Sequence, residues 1–147
     1  MSDYMKAFAI SASGMAVERL RVEVAATNLA NADSTQPAGG HPYLPQRVIA
    51  HPVSNFEGVL NEGQSALALR GAGAVEVQSV NAPPRLEHDP GNPAADAQGM
   101  VALPAINAVE ETMTLMTAVR AYEANVRAMN AAHTMAMKAL EIGSNNA

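Results

Sequence analysis

The 147-residue chain has no cysteine, no basic cluster, no long apolar run, and no proline before residue 37 or after residue 104. Without cysteine, disulfides and thiolate metal sites are excluded, while the compartment stays open. Nine Lys and Arg stand against fourteen Asp and Glu, a formal net charge of −5. Nucleic acid is therefore not an expected partner. Nothing approaches the roughly 18 apolar residues that cross a bilayer, so direct membrane insertion is not expected either. The start of the chain carries neither a basic segment nor an uninterrupted apolar stretch with a cleavage site, and does not read as a Sec signal.

The two proline-free ends are apolar-periodic. Toward the C terminus, Leu115, Val119, Tyr122, Val126, Met129, His133, Ala136 and Leu140 follow one another at alternating spacings of four and three, a heptad seam. Arg120, Glu123, Arg127, Lys138 and Glu141 fall on the opposite side, with Glu123 and Arg127 in the favourable i, i+4 order. The spacing predicts one helix over 106–142, beginning near Pro104 and stopped by Gly143. In the N-terminal stretch Met5, Phe8, Ala12, Met15, Val22, Ala26 and Leu29 share one side, interrupted by Arg19. Ile10, Val17, Leu20 and Val24 lie on roughly the opposite side. At about 100° per residue, one neighbouring helix cannot cover both sets. The C-terminal helix supplies one partner and self-association is the simplest source of the second. Isolated helices of this kind are marginal, so both are expected to be largely disordered before assembly.

The middle differs in kind. Eight of the nine prolines and eight of the ten glycines lie between residues 36 and 99. Short strands are expected at 43–51, 65–70, 74–80 and 99–103, with apolar–polar alternation clearest in the third. Pro42, Pro45 and Pro52 remove ladder donors, which makes the first strand an edge or breaks it. Tyr43 and Phe56 are the only aromatics there, so this segment has little to bury. The fold class is mainly α with a small β insert: long N- and C-terminal helices paired as a coiled coil, joined by a Pro/Gly-rich, short-stranded middle.

Chemistry-bearing patterns are weak. His133 lies on the helical seam, where a polar packing or register role is the ordinary reading. His41, His51 and His88 lack the spacing of metal ligands. Beside Pro90-Gly91-Asn92-Pro93, Asp89 reads as a turn residue whose carboxylate bonds the following backbone. Gly71-Ala72-Gly73 lacks the third glycine of a dinucleotide loop, and Ser11-Ala12-Ser13-Gly14 sits in a helical pattern rather than at a nucleophile elbow. The nine methionines are read as fillers of gaps in a core. Asn28, Asn31, Asp33 and Ser34 explain a helix stop without any functional role.

The run Asn28-Leu29-Ala30-Asn31-Ala32-Asp33 nevertheless resembles the N-terminal signature of the flagellar rod and hook axial proteins. The run from His88 to Pro104, with Asp89, Pro90, Gly91, Pro93, Asp96, Gly99 and Pro104 in matching places, is similar to a stretch of that family's basal-body rod protein C branch, which are proximal rod subunits. Val109-Glu110-Glu111, Tyr122-Glu123-Ala124-Asn125-Val126 and Asn130 resemble the C-terminal helix of the same branch. Asn92 stands where histidine is usual and Met100 where tyrosine is usual, and residues 36–84 match least.

The resemblance implies a structural subunit, with no catalytic residues, no metal and no cofactor. Residues 1–35 and 104–147 would form a helical axial core and residues 36–103 an outer β and loop insert. The subunits would polymerise helically, transmit torque and wall an export channel. Implied partners are further copies, other rod proteins, the inner-membrane ring, export-gate components and the rest of the hook–basal body complex. The implied location is the basal body in the periplasmic space, reached through flagellar type III export. The faces that would carry the interface and core are Met5, Phe8, Ile10, Met15, Val17, Leu20, Val22, Val24 and Leu29 with the C-terminal seam named above. A cytoplasmic coiled-coil adaptor dimerising through that seam is the rival reading. A membrane-surface helix is disfavoured, because the polar faces mix both signs of charge.

Overall fold

A computed structural model describes residues 2–36, 40–52 and 71–144. In chain order the elements are helix α1 (Ser2–Ala30), strands β1 (Gln46–Pro52), β2 (Ala72–Ser79), β3 (Arg85–His88) and β4 (Met100–Leu103), and helix α2 (Ala108–Ser144). The chain is thus mainly helical with a small β insert. The strand expected at 65–70, and Phe56, lie outside the described residues.

The helix ends are set by side chains that bond the backbone. At the end of α1 the Asn31 Nδ2 donates to the Thr27 carbonyl at 2.8 Å, which also accepts the Asn31 N–H at 3.2 Å, and the Ser34 hydroxyl and N–H both donate to the Asn31 carbonyl, at 2.9 and 3.1 Å. At the start of α2 the Asn107 Oδ1 accepts the Val109 N–H at 3.0 Å, while the Asn107 carbonyl accepts the first helical bond, from Glu111, at 3.0 Å. Asn107 is therefore the N-cap, and Glu110 and Glu111 complement the positive end of the helix dipole. The helix begins two residues later than the periodicity predicts, because this cap decides the boundary. It also continues through Gly143 instead of stopping there. Glu123 and Arg127 form the expected i, i+4 pair at 3.7 Å on an exposed face, an interaction of only a few tenths of a kcal/mol.

The strands form two two-stranded sheets, β1 with β2 and β3 with β4. Val80 donates to the Pro45 carbonyl at 2.7 Å, which joins the residue after β2 to the residue before β1. Pro45 thus sits outside the ladder and does not break the strand. The alternation expected in β2 does not appear as burial, since residues 75–79 are all exposed. In the second sheet β3 pairs antiparallel with β4 in the register Arg85↔Leu103 to His88↔Met100. Val101 and Leu103 are buried, whereas all of β3 is exposed. With Leu86 as its single apolar residue, that tetrapeptide carries no strand pattern of its own and takes its order from β4.

Between β3 and β4, Asp96 fixes the connecting loop. Its Oδ1 accepts the Gln98 and Met100 N–H groups, both at 2.9 Å. Gly99 adopts φ +75°, and a Cβ there would lie 3.1 Å from Pro90 Cγ and 3.2 Å from His88 Cε1. Asp89 opens a turn as expected, its carbonyl accepting the Asn92 N–H at 3.2 Å, but its carboxylate meets the Asn92 side chain at 3.4 Å, and the backbone-bonding carboxylate is that of Asp96.

By contact the chain divides into two units. One comprises Met1–Arg19, Ala50–Glu76 and Ala118–Ala147, the other Leu20–Ile49 and Val77–Thr117. In the first, Ser11, Val17, Ala118 and Ala132 are buried. Gly14 lies against Asn125 so closely that a Cβ would approach Asn125 Nδ2 to 2.9 Å. Ser13 Oγ accepts the Ala72 N–H at 3.1 Å and so pins the start of β2 to α1. In the second unit the core is Val24, Ala25, Ala32, Val101, Leu103, Pro104 and Ile106 around Asn28.

Replacing Gly99 by Ala forces a side chain into a left-handed conformation beside Pro90, a cost of about 1–3 kcal/mol. Thermal unfolding of G99A should show a Tm at least roughly 2 °C below wild type; an unchanged Tm would show that the loop relaxes freely.

Candidate functional site

The polar centre of the second unit is built on Asn28, in the last turn of α1. Its side chain is 1% exposed, yet every hydrogen-bonding position on it is used. The Nδ2 donates to the Gln46 carbonyl at 2.8 Å and to Glu111 Oε1 at 3.2 Å. The Oδ1 accepts the Gln46 N–H at 2.9 Å and the Tyr43 hydroxyl at 3.0 Å. An amide has two donors and two acceptor positions, so this arrangement satisfies it completely. The two bonds to Gln46 reproduce what a neighbouring peptide group offers a strand, and the helix thereby holds the first residue of β1. The helix-stop reading of Asn28 is corrected: Asn31 and Ser34 end the helix, while Asn28 joins three segments remote in sequence.

Tyr43 answers to its surroundings. Burial raises the pKa of its phenol above the usual value, and the negative charge of Glu111 raises it further. The remaining acidic members of the matched runs are outward-facing. Asp33 and Glu87 both pair with Arg85 at 3.6 Å, among exposed side chains. A cleft of about 290 Å³ shares Gln46 and Glu111 with the Asn28 cluster and is lined by Arg21, Arg47, Glu110, Val24 and Thr114 among others. Its mixed charges suit contact with protein better than capture of a small molecule of one charge. Among the described residues no three His, Asp or Glu side chains are placed to hold a metal ion, and no helix is long and apolar enough to cross a membrane.

The apolar side chains named from sequence separate into covered and uncovered groups. On α1, Val17 and Val24 are buried and Phe8, Ile10, Met15, Leu20 and Val22 half-buried, whereas Met5 and Leu29 are exposed. On α2, Leu115, Val126 and Met129 are half-buried, while Val119, Tyr122, His133 and Leu140 are exposed. The more deeply covered side of α2 carries Ala118, Asn125 and Ala132 instead. These residues also repeat at heptad spacing, but their small or polar side chains give little periodic signal. Of the matched runs, Asn28 and Pro104 are buried, Asn31 and Gly99 half-buried, and Asp33, Asp89, Pro90, Gly91, Pro93 and Asp96 exposed. Tyr43, Gln46, Asn107 and the side chain of Glu111 gave no sequence signal of their roles, which arise only once the chain has folded.

Residues 97–142 match the family described as flagellar basal body rod FlgEFG protein C-terminal. The flagellar basal-body rod protein FlgC of Salmonella typhimurium (strain LT2) is 38% identical over 136 residues, covering 92% of this chain and 95% of that protein. FlgC of Bacillus subtilis (strain 168) is 37% identical over 142 residues, covering 91% and 94%. FlgC of Aquifex aeolicus (strain VF5) is 41% identical over 133 residues, covering 88% and 90%. The chain belongs to the FlgC family of flagellar basal-body rod proteins. As in that family, its role is structural and not enzymatic, and the adaptor reading has no comparable support. In this chain the Asn28 cluster is a structural joint.

Two outcomes test the joint. In N28D the introduced carboxyl loses both amide donors and faces Glu111 and the Gln46 carbonyl, which should cost about 3 kcal/mol at neutral pH. Burial and the neighbouring charge raise its folded pKa, so stability is regained at low pH and lost as pH rises through that value. Denaturation against pH should show the deficit relative to wild type shrinking on acidification; a constant deficit would contradict the geometry. For Tyr43, whose folded pKa is raised, the stabilisation is present below the unfolded value of about 10 and disappears as pH rises through the folded value. An ultraviolet titration of E111Q should show its ionisation moving down toward the ordinary range, and an unmoved transition would remove Glu111 as a cause.

Proposed function

We propose that this rod subunit polymerises through the uncovered faces of α1 and α2 as part of the proximal rod. The carrying observation is the division of each helix. Val17 and Val24 are buried within the chain, while Met5 and Leu29 on the other side of α1, and Val119, Tyr122 and Leu140 on α2, face outward. Each fully buried side chain of this size contributes roughly 1.5–3 kcal/mol, so covering a few of them holds a subunit in place.

Within the chain, α1 and α2 form an antiparallel coiled-coil layer on this reading. Gly14 meets Asn125 and Asn28 meets Glu111, positions fourteen residues apart on each helix and taken in opposite order. That interval is two heptads, the repeat that keeps one seam facing its partner. Residues 1–35 and 104–147 make the axial core and residues 36–103 the outer insert. Repetition of the layer builds a tube that transmits torque mechanically and walls the export channel. Its neighbours are further copies and other rod proteins, with the inner-membrane ring, the export gate and the hook as the structures it links. The location is the periplasmic part of the basal body, reached through type III export.

Leu140 is 56% exposed, so L140D should leave the fold of the single chain unchanged. The account predicts that cells carrying L140D as their copy of this gene are non-motile and that their detergent-extracted basal bodies lack the subunit. V126D, at a half-buried position, should abolish incorporation too. Motile cells with normal rods in both cases would show that this face of α2 is not an interface.

A further inference from the structure

The two contact units differ in what holds them. The unit of Leu20–Ile49 and Val77–Thr117 buries Val24, Val101, Leu103, Pro104 and Ile106 beside Asn28. The part of α2 that lies in the other unit buries only Ala118 and Ala132 among its described residues. On that same stretch Met135, Met137, Leu140 and Ile142 are exposed. An alanine removes little apolar area from water, and a helix draws most of its stability from packing an apolar face rather than from its own propensity. The outer turns of α2 therefore gain little from the rest of the chain; the first turns, residues 108–117, bury no side chain, but they are tied to α1 through the bond of Glu111 to Asn28.

Asn28 adds cooperativity to that difference. Its four bonds reach Tyr43, Gln46 and Glu111, and the side chain is buried. A buried amide left partly unpaired costs more than the average bond returns, which favours forming all four together. Closing the cluster brings the end of α1, the start of β1 and the first turn of α2 into one place. We propose that Asn28 is a latch that folds Leu20–Ile49 and Val77–Thr117 as one cooperative body in the free subunit, ahead of the outer turns of both helices. Each long helix is then folded at one end only before assembly, a refinement of the expectation that both are largely disordered. The latch acts in the unassembled chain and does not depend on which structure the chain later joins.

Hydrogen–deuterium exchange on the monomeric full-length chain tests this. In the wild type, the amides of residues 24–28, of Gln46 and of residues 113–117 should exchange about tenfold or more slowly than those of residues 6–14 and 122–140, since exchange reports local opening. N28A should remove most of that difference, and the milder Y43F, which deletes one bond, should reduce it in the same segments first. A132D, placed in the outer stretch of α2, should leave protection around Asn28 within about twofold of wild type. Uniform protection along each helix would overturn the proposal. So would a Gln46 amide unaffected by N28A, or an A132D chain that loses protection equally everywhere.

Discussion

One buried side chain sets conditions that much of the described structure must meet. The amide of Asn28 has the donor and acceptor of a peptide group, and the chain uses it as one, with β1 beginning against it. Because the side chain is almost wholly removed from water, each of its hydrogen bonds must be made within the protein. That need fixes where Tyr43 comes to rest, where β1 starts and which turn of α2 lies alongside. An aspartate of the same shape supplies no donor, and a leucine supplies nothing to Gln46 or Tyr43. Only an amide of this length serves.

Small residues set a second constraint. Gly14 leaves room for Asn125, and Ser13 reaches the start of β2 because Gly71 has no side chain to obstruct it. Ala118 and Ala132 occupy covered positions on α2. Large side chains such as Met113, Met135, Leu140 and Ile142 are left outside. This inverts the usual placing of small and large residues in a self-sufficient helical domain. In the proposed assembly, neighbouring subunits complete those outward apolar faces.

The helices were legible in the sequence because their apolar residues recur over many turns and no proline interrupts them. Which side of α2 the chain itself covers was not legible. The columns containing Val119 and Ala118 share the same heptad spacing, and hydrophobicity favours the first although close approach favours the second. The Asn28 cluster was half legible. Its asparagine stood in a recognisable run, but Tyr43, Gln46 and Glu111 look like ordinary loop, strand and helix residues until the fold brings them together. Strand β3 was invisible because it is short and exposed, with Leu86 its single apolar residue. The loop before β4 was legible as a turn, yet the carboxylate that organises it is Asp96 and not the more conspicuous Asp89 beside Pro90.

These constraints combine into a single account: a chain that satisfies its own buried polar groups around Asn28 and, in the proposed assembly, offers one apolar face of each helix to other subunits. Electron cryomicroscopy of basal bodies extracted from cells that express this protein tests both halves at once. The account predicts density in which Asn28 bonds Gln46 and Glu111 within one subunit, while Met5, Leu29, Val119 and Leu140 are buried against neighbouring subunits. A rod in which those four residues face solvent, or in which Asn28 turns outward to a neighbour, would contradict it.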